Sequence, residues 1–126
     1  MKQILNTDQA PSPVGPYNQS ILAGDTLYIS GQIAINPSTG EMNIGSVEEE
    51  THQVMSNLKA ILHNAGLTFE SVVQCTVFVK NMQHYARINA VYAQYFDEAT
   101  APTRALVEVS ALPKYVNVEI SAIAIQ

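Results

Sequence analysis

Residues 72–79 read Val-Val-Gln-Cys-Thr-Val-Phe-Val. β-Branched and aromatic residues dominate the stretch, and neither glycine nor proline interrupts it, so it reads as a strand. Period-two alternation sets Val73, Val77 and Val79 on one face and Val72 and Phe78 on the other. Both faces are apolar, and both need a cover.

Helices flank this strand in the sequence. Residues 46–65 carry the clearest signal, with Ser46 and Glu49 at capping-box spacing and Gly66 where a left-handed C-terminal residue belongs. Val47, Thr51, Val54, Leu58, Ile61, Leu62 and Ala65 recur at helical period. A second amphipathic helix is predicted over 82–97, with Tyr85, Ile88, Tyr92, Tyr95 and Phe96 on one side. Two closing strands, 103–109 and 116–125, follow, separated by 110–115. Toward the N-terminus, 36–40 is a turn, and 18–22 and 26–30 form a hairpin turned by Ala23-Gly24-Asp25. The three prolines of 10–16 make that segment an ordered loop feeding the hairpin.

Hairpin, helix, strand, helix, strand, strand is the order of an α+β domain: a β-sheet with two helices packed on one face. Two helices cover only that face. Further copies of the same chain are expected to bury the other. Composition points the same way. The 126 residues suit one domain, 47% are hydrophobic, and only 13% are charged. That charged fraction is about half of the ~25% usual in soluble domains, which suggests surface hidden by self-association.

The formal charge of −5 and six scattered basic residues argue against a nucleic-acid surface, which needs clustered Lys and Arg. Cys75 is the only cysteine, so no intrachain disulfide can form. No apolar run resembles a signal peptide or a membrane span, and the expectation is a soluble, cytosolic protein without membrane contact.

Familiar catalytic patterns are absent: no GxSxG elbow, Walker loop, HExxH or CxxC. His52, His63 and His84 lack a partner at metal-ligand spacing, and no metal is expected. Cys75, flanked by apolar residues in mid-strand, reads as a core filler. Core packing explains three other features poorly. Arg104 opens the apolar strand Arg104-Ala105-Leu106-Val107, and its planar fork suits a carboxylate. Glu119 interrupts Val116-Asn117-Val118-Glu119-Ile120. If 103–109 and 116–125 pair antiparallel, Glu119 lies within a few residues of Arg104, and the two are equally a cross-strand ion pair or a site. Asn89 falls inside the Tyr85/Ile88/Tyr92 stripe, where its amide needs a partner. Tyr17, at the exit of the proline loop, is open to either a structural or a binding role.

Several separated motifs occur together: Gly15-Pro16-Tyr17-Asn18-Gln19-Ser20, Tyr28-Ile29-Ser30-Gly31-Gln32, Thr51-His52-Gln53-Val54 into Asn57-Leu58, Asn89-Ala90-Val91-Tyr92, Ala101-Pro102-Thr103-Arg104, Leu112-Pro113-Lys114 and Val118-Glu119-Ile120. In this order and spacing the chain closely resembles the reactive intermediate deaminase (Rid, or YjgF-type) family along essentially its whole length. The resemblance implies a fold like that of the bacterial homotrimeric chorismate mutases, with three sheets facing inward, helices outside and three clefts between subunits. It also implies hydrolysis of 2-iminobutanoate and 2-iminopropanoate, and of their enamine tautomers, to 2-oxo acids and ammonia, without a cofactor.

Residue by residue, Arg104 matches the family's carboxylate-binding arginine and Glu119 the glutamate that positions the attacking water. Tyr17, Gly31 and Asn89 match positions lining the cleft, with Ser30 beside them. Asn18 replaces a commoner serine, and Leu106 stands where many members carry a cysteine, a change that bears on substrate range. A noncatalytic carboxylate-binding regulator or chaperone fits the same resemblance. An RNA-cleaving role, also associated with the family, fits poorly with the acidic balance.

Overall fold

The computed structural model describes the whole chain, Met1–Gln126. Its strands are β1 (Lys2–Leu5), β2 (Ser20–Ala23), β3 (Thr26–Gln32), β4 (Val72–Val79), β5 (Thr103–Glu108) and β6 (Val118–Ile125). The helices are α1 (Val47–Asn64) and α2 (Tyr85–Tyr92). All six strands join one sheet in the order β1-β2-β3-β6-β4-β5. The α+β sheet with two helices is as expected.

Local chemistry sets the ends of α1. The Ser46 side chain accepts from the Glu49 amide at 3.1 Å, and Glu48, Glu49 and Glu50 place negative charge against the helix N-terminus. At the other end Gly66 adopts φ 74°, its N–H bonding His63 O while that of Leu67 bonds Leu62 O, both at 2.9 Å. This is the Schellman closure, and the left-handed residue there is why glycine is needed. Val54, Leu58, Ile61 and Leu62 are buried, as the helical stripe predicted. Residues 82–97 are less regular than one helix. A 3₁₀ turn at Met82–His84, capped by Asn81, leads into α2, and a second turn at Ala93–Tyr95 follows.

The structure departs from the sequence reading at four points. First, it adds a strand that the sequence pattern does not assign: β1 pairs antiparallel with β2, Lys2 opposite Ala23 and Leu5 opposite Ser20. A four-residue edge strand has too little pattern to be read from sequence; pairing with β2 creates it. Second, β5 and β6 do not pair. β4 lies between them, antiparallel to β6 and parallel to β5, because α2 crosses over and returns the chain in the same direction. The 110–117 connection carries Pro113 and two left-handed residues, Lys114 and Tyr115 (φ 55° and 56°), and is no tight hairpin. Third, Val73 does not share a face with Val77 and Val79. A register shift against β6 between Val72 and Gln74 turns Val72 into the core and leaves Val73 exposed. Fourth, the reciprocal half of the Ser46/Glu49 capping box is not formed; only the serine side is.

Both helices lie on the face that carries Leu27, Ile29, Cys75, Val77, Val118 and Ile120, all buried. Cys75 is a free thiol within this core, which pushes its pKa up by desolvation. The opposite face is bare. Tyr28, half exposed at 50%, stands opposite Ile123, Thr76 opposite Ser121, and Phe78 opposite Glu119.

Candidate active site

One wall of a cleft of about 580 Å³ is built where the proline loop meets the bulge between β3 and β6. The loop is shaped by Gln19, buried among it. Its Nε2 donates to the carbonyls of Thr7, Ala10 and Pro11, and its Oε1 accepts from the Thr7 amide at 2.7 Å. Ser30 is tied in from β3, its hydroxyl donating to Asn18 O at 2.6 Å and its amide to Gln19 O at 2.9 Å. Asn57 on α1 donates to the carbonyls of Ile33 and Ile35 at 3.1 and 3.0 Å, which holds the apolar floor of the cleft against the helix. Tyr17, Ser30, Gly31 and Glu119 all line this cleft, with Pro113 and Lys114 at its edge.

Glu119 stands on the helix-free face of β6 with no hydrogen-bond or ion-pair partner within the chain, and partial burial raises its pKa above the ordinary glutamate value. Its carboxylate sits directly over Gly31. A Cβ on residue 31 would fall 2.8 Å from Glu119 Cδ and closer still to Oε2, so glycine is the residue that admits this approach. Without a side chain at residue 31, the half-desolvated carboxylate keeps its place at the wall of the cleft.

Arg104 lies elsewhere. It pairs in register with Cys75, on the helix face of the sheet, and its guanidinium rests on α2. Nη1 donates to Asn89 Oδ1 at 2.8 Å and Nη2 to the Tyr85 hydroxyl at 3.0 Å. The cation sits 5.0 Å from the Tyr92 ring centroid and 5.8 Å from that of Tyr85. Tyr85, Asn89 and Tyr92 are spaced i, i+4, i+7 and so present one side of the helix as a seat for the fork. No carboxylate pairs with it: the chain's single ion pair is Arg87–Glu48, at 2.7 Å, which holds Glu48 down to a pKa of about 2. Two of the five guanidinium donors are used, and the rest are free for an incoming anion. Asn89, Tyr92 and Arg104 line a second cavity of about 370 Å³, with Ala101 and Pro102 opposite. Leu106, two residues on, packs partly buried against the core and lines neither cavity.

The expected site residues therefore fall into two separate groups. Tyr17, Ser30, Gly31 and Glu119 come together, as do Arg104 and Asn89, but the two groups occupy opposite faces of one sheet. Arg104 and Glu119 are not a cross-strand ion pair in this chain, because β4 separates their strands. In the sequence Tyr85 and Tyr92 read as an apolar stripe; their spacing around Asn89 is the available sign of a cation seat. The Tyr92 hydroxyl is buried against the Cys75 thiol without a regular hydrogen bond, and desolvation pushes its pKa well above the phenol range.

The same set of elements recurs in known proteins. A family described as Endoribonuclease L-PSP matches residues 7–126. The chain belongs to this YjgF/Rid family. A Synechocystis RutC family protein is 53% identical over 98% of this chain and 95% of its own. The Bos taurus 2-iminobutanoate/2-iminopropanoate deaminase is 42% identical over 100% of this chain and 91% of its own. Among solved structures, the Escherichia coli YjgF gene product superimposes with a TM-score of 0.92 at 42% identity, covering 98% of both chains. Escherichia coli TdcF with bound serine gives 0.92 at 41%, again covering 98% of both. No helix of this Rid-family chain is long and apolar enough to cross a membrane.

Proposed function

We propose that the protein hydrolyses reactive 2-imino acids and their enamine tautomers, with 2-iminobutanoate and 2-iminopropanoate as substrates, to 2-oxo acids and ammonia. The observation that carries this reading is a guanidinium without an acidic partner, held by Asn89 and Tyr85 over Tyr92 with donors to spare. Such a fork binds a carboxylate by two charge-assisted hydrogen bonds. Mammalian relatives at about 42% identity bear the deaminase name, and TdcF was solved with serine, itself a carboxylate.

The two half-sites meet if the chain assembles as a homotrimer, the bare sheet faces turned inward and each cleft closed by a neighbour. Tyr28, Phe78 and Ile123 then leave water. Arg104 of one subunit anchors the substrate carboxylate opposite the Glu119 cleft of the next. The protonated imine carbon is already electrophilic, so most of the catalysis is positioning. Glu119, as the carboxylate, accepts a proton from water as its oxygen bonds to the C=N carbon. The carbinolamine nitrogen then takes that proton from Glu119, the hydroxyl gives up its own proton to the carboxylate so formed as the C=O bond develops, and the C–N bond breaks to release ammonia from the 2-oxo acid. The Gly31 backbone faces the substrate nitrogen, and Tyr17 and Ser30 border the cleft. The scheme needs neither metal nor cofactor, and it places the protein in the cytoplasm.

The test couples this protein to a threonine dehydratase that generates 2-iminobutanoate, and follows 2-oxobutanoate release. Acceleration by the wild type and its loss in Glu119→Ala are expected. If generous amounts of protein leave the rate unchanged while a carboxylate ligand still binds at Arg104, the chain is a noncatalytic binder.

A further inference from the structure

The first turn of α1 holds a carboxylate that the proposed chemistry does not use. Glu50 is completely buried, at 0% exposure, yet no cation pairs with it. Its oxygens instead accept three hydrogen bonds from the start of β6. Oε2 accepts from the backbone amides of Asn117 and Val118 at 2.7 and 3.1 Å, and Oε1 from Asn117 Nδ2 at 2.8 Å. The Asn117 carbonyl in turn accepts from the Lys80 amide at 3.0 Å, just beyond the end of β4. The entry to β6 is gripped from the helix on one side and from the neighbouring strand on the other.

The grip has a location that matters. Glu119 follows Val118 directly, and its carboxylate lies over Gly31 where a Cβ would have no space. Immediately upstream, Lys114 and Tyr115 both occupy the left-handed region, which residues with a Cβ avoid. A strained pair relaxes by shifting the chain beside it, and the chain beside it leads into Glu119. Burying a carboxylate is costly unless its oxygens are used, and here three donors from the entry to β6 use them.

We infer that Glu50 is a positioning residue for Glu119: by clamping the Asn117 and Val118 amides, it fixes where the water-orienting carboxylate stands relative to Gly31. The inference rests on the reading of Glu119 given above. Glu50 itself touches no substrate, and the arginine half-site lies apart from it, so its loss affects turnover rather than anchoring.

The experiment compares Glu50→Ala, Glu50→Asp and Glu50→Gln in the coupled assay, each checked by circular dichroism, alongside a carboxyl-¹³C NMR titration of Glu119. Misplacement of a reacting group by about 1 Å costs on the order of 100-fold, so Glu50→Ala and Glu50→Asp are expected to lower kcat about 10- to 100-fold with KM within about twofold. In both, the Glu119 titration midpoint moves down toward the ordinary glutamate value as water reaches the freed carboxylate. Glu50→Gln is expected to keep kcat within about threefold and the midpoint in place, since its Oε1 accepts both amides and a flipped Asn117 amide accepts from its Nε2. Where the alanine variant does not fold, the aspartate variant carries the comparison. A folded Glu50→Asp protein with either wild-type kcat or an unmoved Glu119 midpoint overturns the inference. If the wild type itself has no deaminase activity, the functional reading fails, and the NMR midpoints alone decide the positioning role.

Discussion

Replacing Arg104 by lysine keeps the charge at the anchor and removes the fork. In the wild type, Nη1 and Nη2 are already fixed by Asn89 at 2.8 Å and Tyr85 at 3.0 Å, so the remaining donors are aimed before a substrate arrives. An ammonium offers a point charge on a flexible stem and can make only one of the two bonds to a carboxylate in the same orientation. One hydrogen bond to a charged group contributes about 1.5–3 kcal/mol. At about 1.36 kcal/mol per factor of ten, Arg104→Lys should lower kcat/KM roughly 10- to 150-fold. Arg104→Ala, which loses both bonds, should fall further. The measurement is steady-state release of 2-oxobutanoate in the dehydratase-coupled assay, with sedimentation velocity run on each variant to show unchanged assembly. Arg104→Lys at or within twofold of wild-type kcat/KM refutes the bidentate anchor and the half-site built around it.

Other outcomes follow from the same geometry. Burial raises the Glu119 pKa, and the reaction needs its carboxylate form, so the acid limb of kcat/KM should lie above the ordinary glutamate value of about 4.3 and vanish in Glu119→Gln. The linked stability has the opposite sign. A raised carboxyl pKa favours folding below the unfolded value and loses that advantage as pH rises through the folded one, so Glu119→Gln should melt higher than wild type at pH 7 and alike at pH 4. Equal melting temperatures at pH 7 would contradict the desolvation. Gly31→Ala must displace the Glu119 carboxylate, and should cost about tenfold or more in kcat with an unchanged circular dichroism spectrum; wild-type turnover would show that the close approach is dispensable. Gln19→Leu removes an amide that serves three carbonyls and one N–H of the proline loop, and should destabilise the fold by about 2–4 kcal/mol in urea titration. A loss below about 0.5 kcal/mol would mean water replaces it.

The site was legible in the sequence as a set of residue types and illegible as an arrangement. Arg104 and Glu119 stood out because each breaks an apolar strand, and Asn89 because it breaks an apolar helix face. Their mutual placement depended on strand order, and adjacency in sequence suggested a pairing of β5 with β6 that β4 prevents. Glu50 and Asn57 were hidden for a related reason. Each sits one position beside the apolar stripe of α1, where polar residues normally face water, and only the β6 amides and the Ile33–Ile35 carbonyls explain their burial.

Local chemistry written in the sequence by itself determined the elements: the cap at Ser46, the left-handed stop at Gly66, the helical stripe between them, and the strand at 72–79 with apolar residues on both sides. These depend on contacts within a few residues, which a linear reading can see. The tertiary structure alone decided that β6 threads between β3 and β4, that a bulge turns Val72 rather than Val73 inward, and that the arginine and glutamate occupy opposite faces. Those outcomes turn on which distant backbones exchange hydrogen bonds, and strand pairing at long separation leaves no local mark on the residues it joins.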